Sequence, residues 1–324
     1  MEVKPIQTQA STAPAVTIII PSFNYSQYIA SAIHSAQRQT FSAIEILIVD
    51  DGSTDSTAPV VKEFLRSDAR IRYIYQTNAG LSAARNTGIN NTLSQLVVFL
   101  DADDELESNF VARSVQTLAK LPPDFGLVAC RDRPIAADGT LLPQPIRKSR
   151  PSREISRDDL ILKSRFGVFL MARRQLLIEL GGFDVSLRSS EDRDMWIRLA
   201  RRARIYLLDE FLARRRTHGA NMSKNSDRMR KAMRTVILRA YQAERRPWTR
   251  FPFWLSVAAY FHLQNAWMLY DEGRQREALR DVIISLMLWP GFLRPSKLDE
   301  PVLFRVRSLA RFLFRPNRRS FAVA

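Results

Sequence analysis

The chain has 324 residues, 46% hydrophobic and 25% charged, a balance that excludes a disordered protein and allows one large domain or two ordinary ones. Its single cysteine, Cys130, excludes an intrachain disulfide and fits a reducing compartment. The net charge of +16 is uneven: residues 225–324 hold 19 Lys and Arg against 8 Asp and Glu, which points to an anionic partner or a solvated basic helical surface.

Residues 1–14 read as a flexible lead-in with no apolar signal-peptide segment. VTIII is continuous and β-branched, a buried strand stopped by Pro21. From about Ser26 to Gln39 a helix is expected, because Tyr28, Ile29, Ala32, Ile33 and Ala36 share one face. IEILIVDDGS is a second buried strand that ends in two carboxylates and a Gly-Ser turn. STDSTAPVVKEFL opens with capping residues and runs into a helix. RIRYIYQ is a third strand, NAGLSAARNTGINNT a loop and a helix of small residues, and LVVFLDADDEL a fourth strand with acids at its C-terminal end. A helix, NFVARSVQTLAKL, and a strand, FGLVAC, follow; Cys130 is expected as a buried strand residue and not a nucleophile.

Residues 131–165 are rich in Arg, Pro, Ser and Asp and read as a long irregular excursion or edge hairpin, of the kind that often serves as a lid. FGVFLMA is expected to return as a strand, and RRQLLIELGGF as a helix closed by Gly181-Gly182. SSEDRDMWIRLARRAR is amphipathic, with Met195, Trp196, Leu199 and Ala200 on one face. IYLLDEFLARRR is expected as a pair of strands, and THGANMS as a polar loop. From about residue 225 helical patterns dominate, including a hairpin that turns at Gly273. FPFWLSVAAYFHL and VIISLMLWPGFL are too short to span a bilayer, which takes about 20 residues. WPGFLRPSKL and LFRVRSLARFLFRPNRRS interleave Arg with Phe, Leu and Trp, as a basic amphipathic surface helix does.

Strands alternating with helices over residues 16–130 imply a mostly parallel sheet with helices on both faces, which binds ligands at the carboxyl ends of its strands. Three polar clusters lie at those ends: Pro21-Ser22-Phe23-Asn24, Asp50-Asp51-Gly52-Ser53 and Asp101-Ala102-Asp103-Asp104. Asp101 and Asp103 alternate along the strand and so point the same way. Crowded carboxylates suit a hard divalent cation such as magnesium or manganese; the alternative is an acid-rich helix start. Arg85 is either a charged clamp on a ligand or a structural salt-bridge partner.

At this point PSFNYSQYIASAIHSAQRQTFSAIEILIVDDGSTDST, NAGLSAARNTGI and VVFLDADDEL together resemble the donor-binding half of glycosyltransferase family 2. EDRDMWIRLARR and RRTHGANMS resemble its acceptor-side half. The resemblance implies a GT-A fold, a Rossmann-like α/β sheet flanked by helices, over residues 15–224, with the donor half to about 130 and the acceptor half after it. Residues 225–324 then form a basic helical C-terminal appendage.

The resemblance also assigns roles. Pro21, Ser22, Phe23 and Asn24 would line the nucleotide pocket, chiefly through backbone. Asp51 would hydrogen-bond the base, commonly uracil, with Asp50 supporting the turn and Arg85 near base and ribose. Asp101 and Asp103 form the DxD-type motif: Asp103 would hold manganese or magnesium on the donor diphosphate, Asp101 would contact ribose or metal through water, and Asp104 would support the loop. The general base would be Asp192, with Glu191 as the alternative, and displacement opposite the leaving group would invert the anomeric carbon. Trp196 is either a platform for the acceptor sugar or core packing. His218 is either a contact to metal or diphosphate or a structural loop histidine.

The implied partners are a nucleotide-sugar donor, UDP-linked before others, a glycan or lipid-linked acceptor, and an anionic membrane surface for the basic C-terminus. The implied location is the cytoplasm, including the inner membrane face. The chain departs from processive members, since it has no Q/R-x-x-R-W signature and no Trp follows Arg214-Arg215-Arg216; transfer of one sugar per encounter is expected. A sugar nucleotidyltransferase would need a Gly-rich phosphate loop, and PSFNYSQY has no Gly. A non-catalytic nucleotide-binding or membrane scaffold fits poorly with acids at every expected site. No nucleic-acid recognition motif accompanies the positive charge.

Overall fold

A computed structural model of the chain describes residues 14–143, 151–163, 166–219, 225–289 and 303–314. Its first half repeats strand and helix: β1 (Val16–Ser22), α1 (Ile29–Gln37), β2 (Ile44–Asp50), α2 (Thr57–Ser67), β3 (Ile71–Tyr75), α3 (Leu81–Asn90) and β4 (Leu96–Phe99). A two-residue strand β5 (Glu105–Leu106), α4 (Phe110–Lys120) and β6 (Phe125–Ile135) follow. Then come β7 (Arg153–Ile155), α5 (Arg157–Leu162), β8 (Leu170–Arg173), α6 (Arg174–Glu179), α7 (Glu191–Leu199) and β9 (Arg204–Arg216). The remaining described elements are helices: α8 (Ser226–Gln242), α9 (Phe251–Asp271), α10 (Gln275–Leu288) and α11 (Phe304–Phe314).

All nine strands join one sheet in the order β3-β2-β1-β4-β8-β6-β9-β5, with β7 also on β9. Strands β1 to β4 are parallel to one another, while β8 enters antiparallel to both β4 and β6. The apolar runs divide between the two faces by strand alternation. Ile18, Ile20, Ile46, Ile48 and Val98 pack on one side with Ile29, Ile33 and Phe110 of α1 and α4. Ile19, Leu47, Val49, Val97 and Phe99 pack on the other with Ile89, Leu177, Met195 and Trp196. Each such side chain contributes roughly 1.5–3 kcal/mol when fully buried. Helix α3 approaches β1 closely at Gly88, where a Cβ would lie 2.4 Å from Ile19 Cγ2.

Two expectations are corrected. IYLLDEFLARRR is one strand, β9, and not a pair: its pairing with β6 shifts register between Ala129 and Asp132, and this irregularity takes up Asp209 and Glu210. Arg131 pairs with Asp209 at 2.7 Å, and Arg113 pairs with Glu210. Strand β6 runs on past Cys130 to Ile135, so the irregular excursion starts later than its composition suggests; residues 144–150 and 164–165 of that stretch lie outside the described residues. The expected C-terminal helical appendage is present and packs on the sheet, with Val236, Trp254, Tyr260, Leu263, Ala278 and Phe312 in the same buried cluster as Trp196 and Phe99.

The hairpin expected at Gly273 is α9–α10, with Gly273 at φ +81° in the turn. Helix α11 covers the hairpin: Phe304 stacks on Trp267 at 5.6 Å, Phe312 on Tyr270 at 4.4 Å, and Arg305 Nη1 donates to Ser285 O at 3.0 Å. Met287, Val306, Leu313 and Phe314 remain exposed. WPGFLRPSKL lies outside the described residues after Trp289. Among the described residues no helix is long and apolar enough to cross a membrane.

Candidate active site

The polar strand ends meet on one edge because β1, β2 and β3 run in register, with Ser22 opposite Asp50 and Asp50 opposite Tyr75. Strand β4 lies on the other side of β1, so strand order reverses there and opens a crevice at the carboxyl ends. The Leu100 amide donates to Ile19 O and carries the pairing up to Asp101.

At the end of β2 Asp50 accepts from the Ser53 amide (2.8 Å) and the Tyr73 hydroxyl (2.6 Å), which fixes the Asp-Gly-Ser turn. Asp51, 3% exposed, accepts from the Gln76 side-chain amide (2.6 Å) and the amides of Ala79 (2.9 Å) and Gly80 (2.7 Å). Its carboxylate therefore shapes the 76–80 loop, and only about one of its roughly four lone-pair positions is left for a ligand. Asn24 adopts φ +58°, and its side-chain oxygen accepts from the Thr54 amide at 2.8 Å, so it ties the end of β1 to the start of α2. Pro21 and Ser22 are buried, Phe23 is exposed, and the Ser22 hydroxyl is buried without a hydrogen-bond partner. A cleft of about 180 Å³ separates this loop from α7, lined by Ala79, Gly80, Ser82, Arg188 and Glu191.

The acidic loop is built by β5. Immediately after Asp104, Glu105 and Leu106 pair antiparallel with Arg214 and Ala213. That pairing brings the end of β9 alongside the acids. Asp104 accepts from the Arg216 amide at 2.7 Å. The Arg216 guanidinium donates to Asp103 O (2.9 Å), Ala137 O (2.9 Å) and Glu105 (2.6 Å), so it staples the loop. Two residues on, His218 Nε2 lies 2.8 Å from Asp103 Oδ2, and its ring packs 5.0 Å from Tyr28. Burial and then the Asp101 charge raise Asp103; burial and then Asp103 raise Asp104 well above the usual carboxylate range. Burial and the same acids push the Tyr25 hydroxyl up.

Asp103 and His218 offer an oxygen and a nitrogen ligand in contact, within a cluster of like charges that a cation would relieve. Among the described residues no group of three or more His, Cys, Asp or Glu side chains forms a complete cation cage. Manganese and magnesium are commonly held by one or two protein groups with substrate phosphates completing the shell, so the donor set fits such an ion.

Arg85 joins the two halves. It is 1% exposed and donates to Asp101 at 2.8 Å and to Glu191 at 2.6 Å. Burial alone would lower its guanidinium, but the Asp101 and Glu191 charges outweigh that and raise it. The sequence left Arg85 open between clamp and salt-bridge partner; its hydrogen-bond geometry here is that of a salt-bridge partner. Glu191 is thereby committed to Arg85. Asp192 is half-buried and accepts from the Arg193 amide at 2.6 Å, the only hydrogen bond to its carboxylate among the described residues. Burial, and next the Glu191 charge, push it up to about 6. Just before this pair Ser190 takes φ +56°, a left-handed conformation that costs a non-glycine residue about 1–2 kcal/mol.

Trp196 is corrected outright. It is 1% exposed and ringed by Phe99, Phe166 and Phe183 at 6.4, 6.5 and 5.7 Å, so it packs the core and offers no face to a sugar.

A family model for glycosyl transferase family 2 matches residues 17–181. The chain belongs to glycosyl transferase family 2. It is 31% identical over 217 residues to an uncharacterized glycosyltransferase of Rickettsia prowazekii, covering 66% of this chain and 67% of that one. It is 42% identical over 112 residues to the glycosyltransferase GlyA of Streptococcus pneumoniae, covering 35% of this chain and 16% of GlyA, so it spans only a small part of that relative. The fold matches a Pyrobaculum calidifontis mannosyltransferase in complex with GDP-Man and Mn2+, with a TM-score of 0.62, 19% identity, and coverage of 94% of this chain and 88% of that one. The family match ends before α7, β9 and the C-terminal helices, so Asp192, His218 and the walls around them rest on the geometry above.

Sequence reasoning missed the Arg216 staple and the strained Ser190. The run Arg214-Arg215-Arg216 signals charge, but nothing in it says which arginine turns inward.

Proposed function

We propose that this family 2 glycosyltransferase is a metal-dependent, inverting enzyme that moves one sugar from a nucleoside diphosphate sugar to an acceptor hydroxyl. The observation that carries the reading is the division of labour around Arg85. Asp101 and Glu191 share one buried guanidinium, while Asp103 is hydrogen-bonded to His218 and Asp192 to the Arg193 amide.

The loop after β2, held by Asp50 and Asp51, receives the nucleoside, with the 76–80 segment as its wall. UDP is the first nucleotide to test, with GDP beside it because the mannosyltransferase neighbour holds GDP-Man. Asp103 and His218 would hold a divalent cation, which offsets the charge that develops on the leaving diphosphate. Asp192 takes the proton of the acceptor hydroxyl. One of its oxygens is oriented by the Arg193 amide, and a carboxylate held near 6 is ionised at neutral pH yet basic enough to accept a proton. The attacking oxygen then forms its bond to the anomeric carbon as the bond to the diphosphate breaks on the far face, which inverts the configuration. Glycan or lipid-linked hydroxyls are the acceptor class, and association with an anionic membrane surface through the C-terminal helices belongs to the same reading.

The test is a coupled assay of nucleoside diphosphate release from a panel of UDP- and GDP-sugars, with manganese and an acceptor glycoside mixture. Release that needs both acceptor and metal supports the proposal. No release with any donor, on protein that is folded by circular dichroism, contradicts it.

A further inference from the structure

Beside Asp192 lies a cavity of about 420 Å³ built largely by the C-terminal helices. Its walls are Met229 and Met233 of α8, Leu263 and Met268 of α9, and the rings of Tyr260 and Trp267. The polar groups within reach are few. Arg193 borders the cavity, but its guanidinium donates to Leu160 O and Ile161 O at 3.0 and 2.7 Å. Trp267 spends its indole N–H on Ser308. The other polar residues on the cavity wall are Asp192, Ser190, Lys163, whose ammonium lies 5.8 Å from the Tyr260 ring, and Gln264.

We infer that this cavity is the acceptor subsite, and that it takes an acceptor carrying a hydrocarbon aglycone, with the reacting hydroxyl directed at Asp192. The inference rests on Asp192 being the base of the proposed transfer. A purely carbohydrate acceptor presents hydroxyls on every side, and placing them against Met and Leu without partners is costly. A hydrocarbon chain gains from the same walls, and three methionines let them adapt to its shape.

The test uses the full chain and alkyl β-glucosides with hexyl, octyl and decyl tails, each kept below its micelle-forming concentration. Calorimetry should show affinity rising about three- to fourfold per added methylene. Met268→Trp and Met229→Trp fill the cavity from two different helices, so a folding failure of one leaves the other. Each should flatten the chain-length dependence while leaving the manganese-dependent thermal shift with UDP or GDP unchanged. Binding that is independent of tail length, or a chain-length dependence that survives both folded variants, overturns the aglycone inference even when the nucleotide shift is intact. Loss of the nucleotide shift in the unmodified chain overturns the transferase reading, and the acceptor role of the cavity with it.

Discussion

Replacing Asp192 by Asn should stabilise the protein while abolishing transfer. The carboxyl is pushed from 3.8 to about 6, so the folded protein holds its proton more tightly than the unfolded chain does. Ionising it therefore costs stability: nothing below about 3.8, a growing amount between 3.8 and 6, and the full amount above 6. The full shift corresponds to about 3 kcal/mol. Asp192 faces an open cavity, and solvent screening reduces the recoverable part to about 1–2 kcal/mol. Asn keeps an oxygen for the Arg193 amide, which now donates at 2.6 Å, so the helix start is preserved. Thermal unfolding near pH 7.5 should show Asn melting a few degrees higher, at about 2–4 °C per kcal/mol. Toward about pH 4.5 the advantage should shrink, because Asp192 is then protonated in the folded wild type. An Asn variant that is no more stable at neutral pH, or that keeps its transfer activity, would refute the reasoning.

Other consequences follow from the same contacts. Arg85→Met leaves the Asp101 and Glu191 carboxylates without their shared guanidinium, and urea unfolding should show a loss of about 3–5 kcal/mol. Gly88→Ala forces a Cβ to within 2.4 Å of Ile19, and should cost about 1–3 kcal/mol in the same experiment. Met287→Glu with Phe314→Glu alters exposed positions on α10 and α11; sedimentation with anionic vesicles should fall if these helices meet a membrane, and equal sedimentation would remove that part of the reading.

Strands β1, β2 and β4 were legible because VTIII, IEILIVD and LVVF are largely apolar, β-branched runs that a sheet covered on both faces buries. The acids were legible as a cluster after β4, but β4 ends at Phe99 and the Asp104 amide donates to Asp101 O, so a turn and not strand alternation places them. Strand β9 was misread because Asp209 and Glu210 interrupt its apolar pattern, and their partners, Arg131 and Arg113, lie on distant elements. Trp196 was placed correctly on the apolar face of its helix, but periodicity does not say whether that face meets a ligand or three phenylalanines. The Arg85–Glu191 pair joins residues 106 positions apart, beyond any local pattern. The cavity beside Asp192 draws its walls from α7, α8, α9 and α11, so no single segment of sequence announces it.

The central claim is that Asp103, with His218 against it, anchors a cation for a nucleoside diphosphate. Its most direct test is calorimetric titration of UDP and GDP with and without manganese, on the wild-type chain and on Asp103→Ala. One nucleotide should bind the wild-type chain in a manganese-dependent way, and Asp103→Ala should lose that dependence while staying folded. No binding of either nucleotide, or an equal manganese effect in the variant, would contradict the account.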